Sequence, residues 1–550
     1  MGRARDVLRR HFGYDDFRRG QIDIVAAVLD GLDTLAVLST GGGKSLCYQV
    51  PALMLPRLTI VISPLISLMK DQVDRLAGLG IAAAFLNSTL DATGTSRLLR
   101  RVAAGEIKLL YLSPERFAAP DLRGPVERCG ISLIAVDEAH CISEWGHDFR
   151  PGFRRIAEVA RAYGSPQMVA FTATATLAVR RDIVRQLRMR SPRVIVGGFD
   201  RGNLHYSVRP CRDEDDKART LIGVVQAHAR PAVVYAATRG SVETLAKLLG
   251  GAGYRAASYH AGLDETRRQE TQEAFMRGDV DVIVATNAFG MGVDKADVRL
   301  VVHHSMPRTL ESYYQEAGRA GRDGQPARCV LLYADADRLT HEWFIDATFP
   351  ERAAVETAYA RLRGTHANGN TAGATDAATA FLVRQGAVIE RRAAGRLVRV
   401  SVVAPPERIR RTLSAPVDAG DLQVLRALWR QGAEACQWGR DVDLGTLSPE
   451  IPWRSALASL ERLRARRLLT FVAVDGRREL VSPTADLGAF DIDWDAIARR
   501  RASELERAAT VRRYALSRGC RRAFALAYFG EQLRVSKCAA CDNCLATWGQ

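Results

Sequence analysis

DEAHCISEWGHDFRPGF, residues 137–153, follows an apolar run at 133–136 and sets two chemistries side by side. The run Leu133-Ile134-Ala135-Val136 has the continuous apolar character of a strand buried on both faces, and so of a parallel sheet. Asp137 and Glu138 come immediately after it. A carboxylate just past the end of such a strand is placed to bind the Mg²⁺ of a nucleotide, and its neighbour to activate an attacking water. Further on, Trp145, His147, Phe149, Arg150 and Phe153 set rings and a cation where bases can stack and phosphates can be gripped. Those rings also read as core aromatics after a buried strand. The neighbours Glu144, Gly146, Asp148 and Arg150 favour a loop.

Working outward, short apolar runs recur at 35–38, 59–62, 109–112 and 168–171, each ending in small or polar residues and separated by amphipathic stretches. That rhythm predicts a doubly wound parallel sheet over the first part of the chain. It repeats with runs at 232–235, 280–285, 300–303 and 329–333, which predicts a second, similar lobe and a cleft between the two. The glycine-rich stretch GGFDRG (197–202) reads as the linker.

Ligands bind open α/β sheets at the strand C-termini, and motifs stand at those places. After the run at 35–38 comes Thr40-Gly41-Gly42-Gly43-Lys44-Ser45. Its glycines let backbone N–H groups converge on phosphate, Lys44 reaches the β and γ phosphates, and Ser45 ligates Mg²⁺. Leu38 stands where the usual pattern has its first glycine. FTATAT (171–176) follows another strand and offers hydroxyls to link the Mg²⁺ side of a site to lobe movement, or else is a β-branched strand end. In QEAGRAGR (315–322), a helix would place Gln315, Arg319 and Arg322 at i, i+4 and i+7 on one face. Two arginines offered across a cleft to a triphosphate supply an arginine finger.

The chain has 550 residues, too many for one core, and its 47 % hydrophobic and 25 % charged fractions are those of a globular protein. No apolar run approaches the roughly 18 residues of a membrane span, and MGRARDVLRRHF lacks a signal-peptide core. A cytoplasmic protein without membrane contact is therefore expected, nucleoid-associated in a bacterium. Net charge of +16 suggests a polyanionic partner, although the Ala- and Arg-rich composition could produce the same excess. Four of the ten cysteines, Cys520, Cys538, Cys541 and Cys544, crowd the end of the sequence. Their tight spacing suits four thiolates around a structural Zn²⁺ at about 2.3 Å.

Between the second lobe and the cysteines the pattern is less familiar. From 421 to 483 it reads as three helices and a hairpin turning at Asp475-Gly476, a winged-helix-like arrangement, with a second hairpin near Ala394-Gly395. The third helical stretch, 454–467, carries Leu457, Leu460 and Leu463 on one side and Arg462, Arg464, Arg466 and Arg467 around the other. Arg477 and Arg478 would stand just past the hairpin turn, placed to meet duplex phosphates.

FGYDDFRRGQ (12–21) resembles the adenine-recognition motif of RecQ helicases. SPLISLMKDQV (63–73), YLSPER (111–116), DEAHCISEWGHDFRP (137–151), FTATAT (171–176), ATNAFGMGVDKADVR (285–299) and SYYQEAGRAGRDG (312–324) are similar to that family's motifs, in its order. CRR (520–522), YFGE (528–531) and CDNC (541–544) resemble its zinc subdomain.

The resemblance implies an α/β chain of two RecA-like lobes, 1–196 and 197–345, then a winged-helix-like region at 346–490 and a helical zinc-binding module at 491–550. It implies that Tyr14 and Arg18 sandwich adenine while Gln21 reads its edge. Lys44, Ser45, Asp137 and Glu138 would handle Mg-ATP, His140 would couple the lobes, and Arg322 would be the finger with Arg319 beside it. The implied function is ATP-dependent DNA unwinding with 3′-to-5′ movement on single strands, in recombination or repair, on single-stranded, duplex or forked DNA. Two departures stand out: Ser39 replaces a frequent Pro, and the winged-helix-like pattern precedes the cysteines instead of following them. An RNA helicase of the same superfamily, or a DNA-binding regulator with a degenerate ATPase, are the alternative readings.

Overall fold

The structure is a computed structural model. It describes the chain except residues 19, 39–41, 65, 88–89, 144–148, 198, 291–294, 365–373, 392–396, 403, 405, 414–418, 431–439, 446, 448–449, 467, 474–476, 481–485, 534, 536 and 547–550. It forms two compact units, Met1–Glu342 with Ser503–Gln550, and Trp343–Ala502.

The first unit holds two parallel sheets of the RecA-like class. Strands β1 (Thr34–Leu38), β2 (Leu58–Ile62), β3 (Ala83–Leu86), β4 (Leu109–Leu112), β5 (Ile131–Val136), β6 (Gln167–Thr172) and β7 (Arg193–Gly197) form the first, in the order β3-β4-β2-β5-β6-β1-β7. Every residue of β1, β2 and β4 is buried. Alternate residues serve two cores: Leu35 and Val37 face one, Ala36 and Leu38 the other. Burial on both faces is what the continuous apolar runs demand. Strands β8 (Leu204–Pro210), β9 (Ala232–Tyr235), β10 (Ala256–Tyr259), β11 (Val282–Ala285), β12 (Leu300–His303) and β13 (Ala327–Tyr333) form the second sheet, in the order β10-β11-β9-β12-β13-β8.

The expected linker is not a loose one. Phe199 is fully buried and lies flat against Phe529, 4.8 Å between ring centroids and 5° between planes. Phe529 belongs to a C-terminal module built from the end of helix Trp494–Leu516, helix Arg521–Tyr528 and the cysteine turns. This module packs on the same core as the two sheets, with Tyr514, Leu526 and Cys541 among its buried members. Tyr206 of β8 bridges to Cys541, and the Val208 N–H donates to the Asp542 carboxylate at 2.8 Å.

The second unit departs from the expected winged helix in one respect. Strands β14 (Val388–Arg391), β15 (Leu397–Val402), β16 (Arg440–Asp443), β17 (Leu469–Ala473) and β18 (Arg477–Leu480) pair as β14-β18 and as β16-β15-β17. The arms expected to form a hairpin about Asp475-Gly476, β17 and β18, pair not with each other but with β15 and β14, both antiparallel. Nor do β14 and β15, the arms about Ala394-Gly395, pair together. Both turns lie outside the described residues. The reason is competition for partners: Val398, Val400 and Val402 of the upstream strand pack with Leu428, Leu460 and Leu463 in one apolar core, and so claim β17. An upstream strand thus fills the place a downstream wing strand was expected to take. Helix Trp453–Ala465 does bury Leu460 and Leu463. Arg462 lies less freely than expected, its guanidinium 2.6 Å from the buried Asp421 carboxylate.

No helix among the described residues is long and apolar enough to cross a membrane.

Candidate active site and metal centre

The strand order of the first sheet brings the C-terminal ends of β1, β6 and β5 together, and the motif residues converge there. The Asp137 N–H donates to the Ile62 carbonyl at 2.8 Å, which prolongs the β5–β2 ladder by one residue. Glu138 then adopts a left-handed backbone, φ 48° and ψ 45°. A non-glycine side chain there stores strain, which is common where function fixes a turn. After the turn, the Glu138 carboxylate lies 3.3 Å from Lys44 Nζ and 3.3 Å from His140 Nδ1. His140, itself buried, has Nδ1 3.0 Å from the Thr172 hydroxyl, which donates to the Thr174 carbonyl at 3.2 Å. The first hydroxyl of FTATAT, that of Thr172, is therefore wired to Glu138 through His140. Burial, then the neighbouring Glu138 charge, pushes Asp137 up to about 6, and Lys44 pulls it back. A divalent cation beside Asp137 would hold it ionised.

Gln21 is buried and reaches the phosphate loop: its Nε2 donates to the Gly42 and Gly43 carbonyls, both at 3.1 Å, and its Oε1 accepts from the Arg18 N–H at 2.8 Å. Gly43 has φ +75°, and a Cβ there would stand 2.3 Å from Gln21 Nε2, so only glycine fits. Tyr14 and Arg18 are exposed at the rim. Thr40 and Gly41 lie outside the described residues.

From the second sheet, helix Leu310–Ala317 carries Gln315 and ends before the arginines. The single helical face expected for Gln315, Arg319 and Arg322 is thus not how they are presented. Two glycines stop the helix, and a tight turn over 318–321 takes its place. At Gly321, φ +55°, a Cβ would meet Asn203 Nδ2 at 2.5 Å and the Gln325 carbonyl at 2.7 Å. Even so, Gln315, Arg319 and Arg322 line the same cavity as Tyr14, Arg18, Gln21, Gly43, Lys44, Ser45, Asp137 and Glu138, a space of about 560 Å³. Its wall also includes Asp71, Gln72 and Gly290. These belong to motifs that carried the resemblance, but nothing in their residue types alone singled them out.

The aromatic stretch divides. Trp145 and His147 lie outside the described residues. Phe153 is fully buried, a core ring and not a stacking platform. Phe149 is half-buried with the Arg154 guanidinium 5.1 Å from its ring centre, and Arg150 donates to the Pro64 carbonyl at 2.9 Å. Arg477 and Arg478 fall in β18, opposite Arg391 and Glu390 in register.

The sulfurs of Cys520, Cys538, Cys541 and Cys544 all lie within 4.8 Å of one another. Thiolates around tetrahedral zinc at about 2.3 Å stand roughly 3.8 Å apart, so a small closure completes the site. Backbone N–H groups of Ala523, Ala540 and Cys544 point at three of the sulfurs, each at 3.4 Å, the kind of support that steadies thiolate ligands.

Three family models match the chain: DEAD/DEAH box helicase over 18–183, helicase conserved C-terminal domain over 216–324, and RecQ zinc-binding over 487–545. The ATP-dependent DNA helicase RecQ of Pasteurella multocida is 46 % identical over 335 residues, 61 % of this chain and 52 % of that protein. The probable ATP-dependent DNA helicase RecS of Bacillus subtilis is 41 % identical over 339 residues, 61 % of this chain and 68 % of that one. In fold alone, the chain is similar to the DUF1998 helicase MrfA bound to DNA and AMPPNP. That match has a TM-score of 0.52 and 19 % identity, and covers 62 % of this chain and 52 % of that one. The chain spans about half the length of RecQ relatives such as the Pasteurella protein. Two lobes facing one cavity, a four-cysteine cluster under the zinc-binding match, and identity across two thirds of RecS agree: the chain belongs to the RecQ family of DNA helicases.

Proposed function

We propose that this chain is an ATP-dependent DNA helicase that couples ATP hydrolysis to 3′-to-5′ movement on single-stranded DNA and to duplex opening, in recombination and repair. The observation that carries the reading is the cavity lined by Lys44, Asp137 and Glu138 from one lobe and by Arg319 and Arg322 from the other. Adenine sits between Tyr14 and Arg18, with Gln21 at its edge and against the phosphate loop. Lys44 and the loop amides hold the phosphates. Ser45 and Asp137 would hold Mg²⁺, which would supply charge neutralisation at the phosphates. Glu138 takes the proton of the attacking water. Arg322, with Arg319 beside it, meets the charge that builds on the transferred phosphoryl group, so hydrolysis requires the lobes to close. The His140–Thr172 link carries that closure toward residues 144–150, of which Trp145, His147, Phe149 and Arg150 meet single-stranded DNA.

Zn²⁺ in the four-cysteine cluster is structural in this reading. Region 346–490 is an accessory duplex-binding region. There, the cations Arg391 and Arg477 stand opposite each other in register. Arginines carried on paired strands supply positive charge to a polyanion. The protein works in the cytoplasm, on the nucleoid in a bacterium.

The test is strand separation on 3′-tailed, 5′-tailed and forked DNA and on tailed RNA, with ATP and Mg²⁺. The reading requires opening of 3′-tailed and forked DNA. Turnover stimulated by RNA but not DNA would put the chain among RNA helicases, and no turnover at all would make it a degenerate ATPase.

A further inference from the structure

We propose that Arg201 is a positioning residue for the arginines of the cleft, and that the zinc module acts on ATP hydrolysis through it. The inference rests on the ATPase reading above. Arg201 lies in the segment between the sheets, outside the cavity lining. Its guanidinium donates to the carbonyls of Gly318, Ala320 and Gly321, at 3.1, 3.0 and 2.9 Å. These three carbonyls sit at the end of helix Leu310–Ala317 and point at one place. Carbonyls converging at a helix C-terminus repel one another unless a cation or donor satisfies them. Arg201 supplies both, and its planar fork fixes directions that a lysine ammonium would leave loose. Arg319 lies between the first two of these carbonyls in sequence, and Arg322 directly follows the third. Whatever sets this turn therefore sets where both side chains emerge.

Arg201 is in turn held from the zinc module. Arg522, nearly buried and two residues after Cys520, donates to the Arg201 carbonyl and forms a 2.9 Å ion pair with Asp200. Cys520 caps the helix Arg521–Tyr528 that carries Arg522, its sulfur accepting from the Ala523 N–H. At the other end of that helix, Phe529 stacks on Phe199, and the Glu531 carboxylate accepts from the Phe199 N–H at 3.2 Å. The segment 199–201 is thus gripped on both sides. The four-cysteine cluster, which does not line the cavity, reaches the turn of the arginines through Arg522, its ion pair with Asp200 and the Arg201 guanidinium.

The experiment compares wild type, Arg201→Gln, Arg201→Lys, Arg522→Ala, Arg322→Ala and the double variant Arg201→Gln/Arg322→Ala, all as full chains. It measures kcat and KM for ATP with saturating oligodeoxythymidylate, zinc content and thermal unfolding. A finger is worth about 10³-fold in turnover. Its misplacement in Arg201→Gln is expected to cost about 30-fold in kcat, on the order of the losses that small misplacements produce. KM should stay within about twofold and zinc at about one per chain, the metal count of a four-cysteine site. Arg201→Lys should recover part of kcat. Arg522→Ala should give a smaller loss of the same kind. Residues acting as a unit are non-additive, so the double variant should lose clearly less than the product of the two single losses.

An Arg201→Gln kcat near wild type would overturn the inference, as would additive losses in the double variant. So would a fall in kcat that tracks zinc loss or early unfolding across all the variants. Wild-type turnover lost in Arg322→Ala upholds the ATPase reading whichever way Arg201 behaves. A wild type without turnover would remove both.

Discussion

Strands in the two units find their partners by different rules. In the first unit, β2 is buried at every residue. Its neighbours β4 and β5 lie far along the chain, joined by crossovers that leave few orders open. In the second unit, β15 alternates, with Val398, Val400 and Val402 buried and Arg399 exposed. A strand buried on one face can pair with any antiparallel neighbour that completes that face. Here the neighbour comes from across the unit, although an Asp-Gly pair stood ready to fold β17 and β18 together. The lesson is that a local turn proposes a partner and the shared core chooses it.

The largest expected effect belongs to the first unit alone. Lys44→Ala and Glu138→Gln should each lower ATP turnover by about 10³-fold or more, roughly 4 kcal/mol of barrier. Duplex binding should survive, and thermal unfolding of the second unit should not move. Turnover near the wild-type rate would remove the cleft from the account.

Next comes a change that separates the β15–β17 pairing from a local β17–β18 hairpin. Val400 is fully buried at the centre of the three-stranded sheet. Val400→Asp should destabilise the second unit by about 3 kcal/mol, as an unpaired buried carboxylate does, while basal ATP turnover stays intact. Calorimetry showing an unchanged second unit would mean that the upstream strand is dispensable and β17–β18 can stand alone.

The smallest effect probes charge. Arg477→Glu with Arg478→Glu should weaken duplex affinity and flatten its dependence on salt by about one unit of slope per lost phosphate contact. Turnover stimulated by single strands should persist. Duplex affinity, slope and unwinding that all match wild type would make the β14–β18 pair a spacer.

What the residues disclosed follows the same division. The central strands of both sheets are legible as unbroken apolar runs. The four strands that no run announced, β3, β7, β8 and β10, are the four edges of the two sheets. Edges are covered from fewer directions and need no such run: β7 exposes Val194 and Val196, and β10 is only half-buried throughout. Lys44, Asp137, Glu138 and the four cysteines are legible because charged and thiol side chains stand at telling spacings, and the structure gathers them into one cavity and one cluster. Arg201 was not, since its partners are backbone carbonyls, which leave no trace in residue types. Phe199 was hidden by the glycines around it, which suggest a free loop where the chain is in fact clamped.

The register of β14 against β18 has one more consequence. Val388 stands opposite Leu480, so the segment between them leaves and returns at neighbouring points. β14 with β18 is a stem, and the helices and sheet between are a head carried on it. A head closed in this way can be lengthened, shortened or exchanged without altering the distance its stem must span. The 392–476 segment between these strands is therefore a natural cassette: replaced by a two-residue turn, it should leave a β-stem, and grafted onto another paired stem it should carry its fold with it.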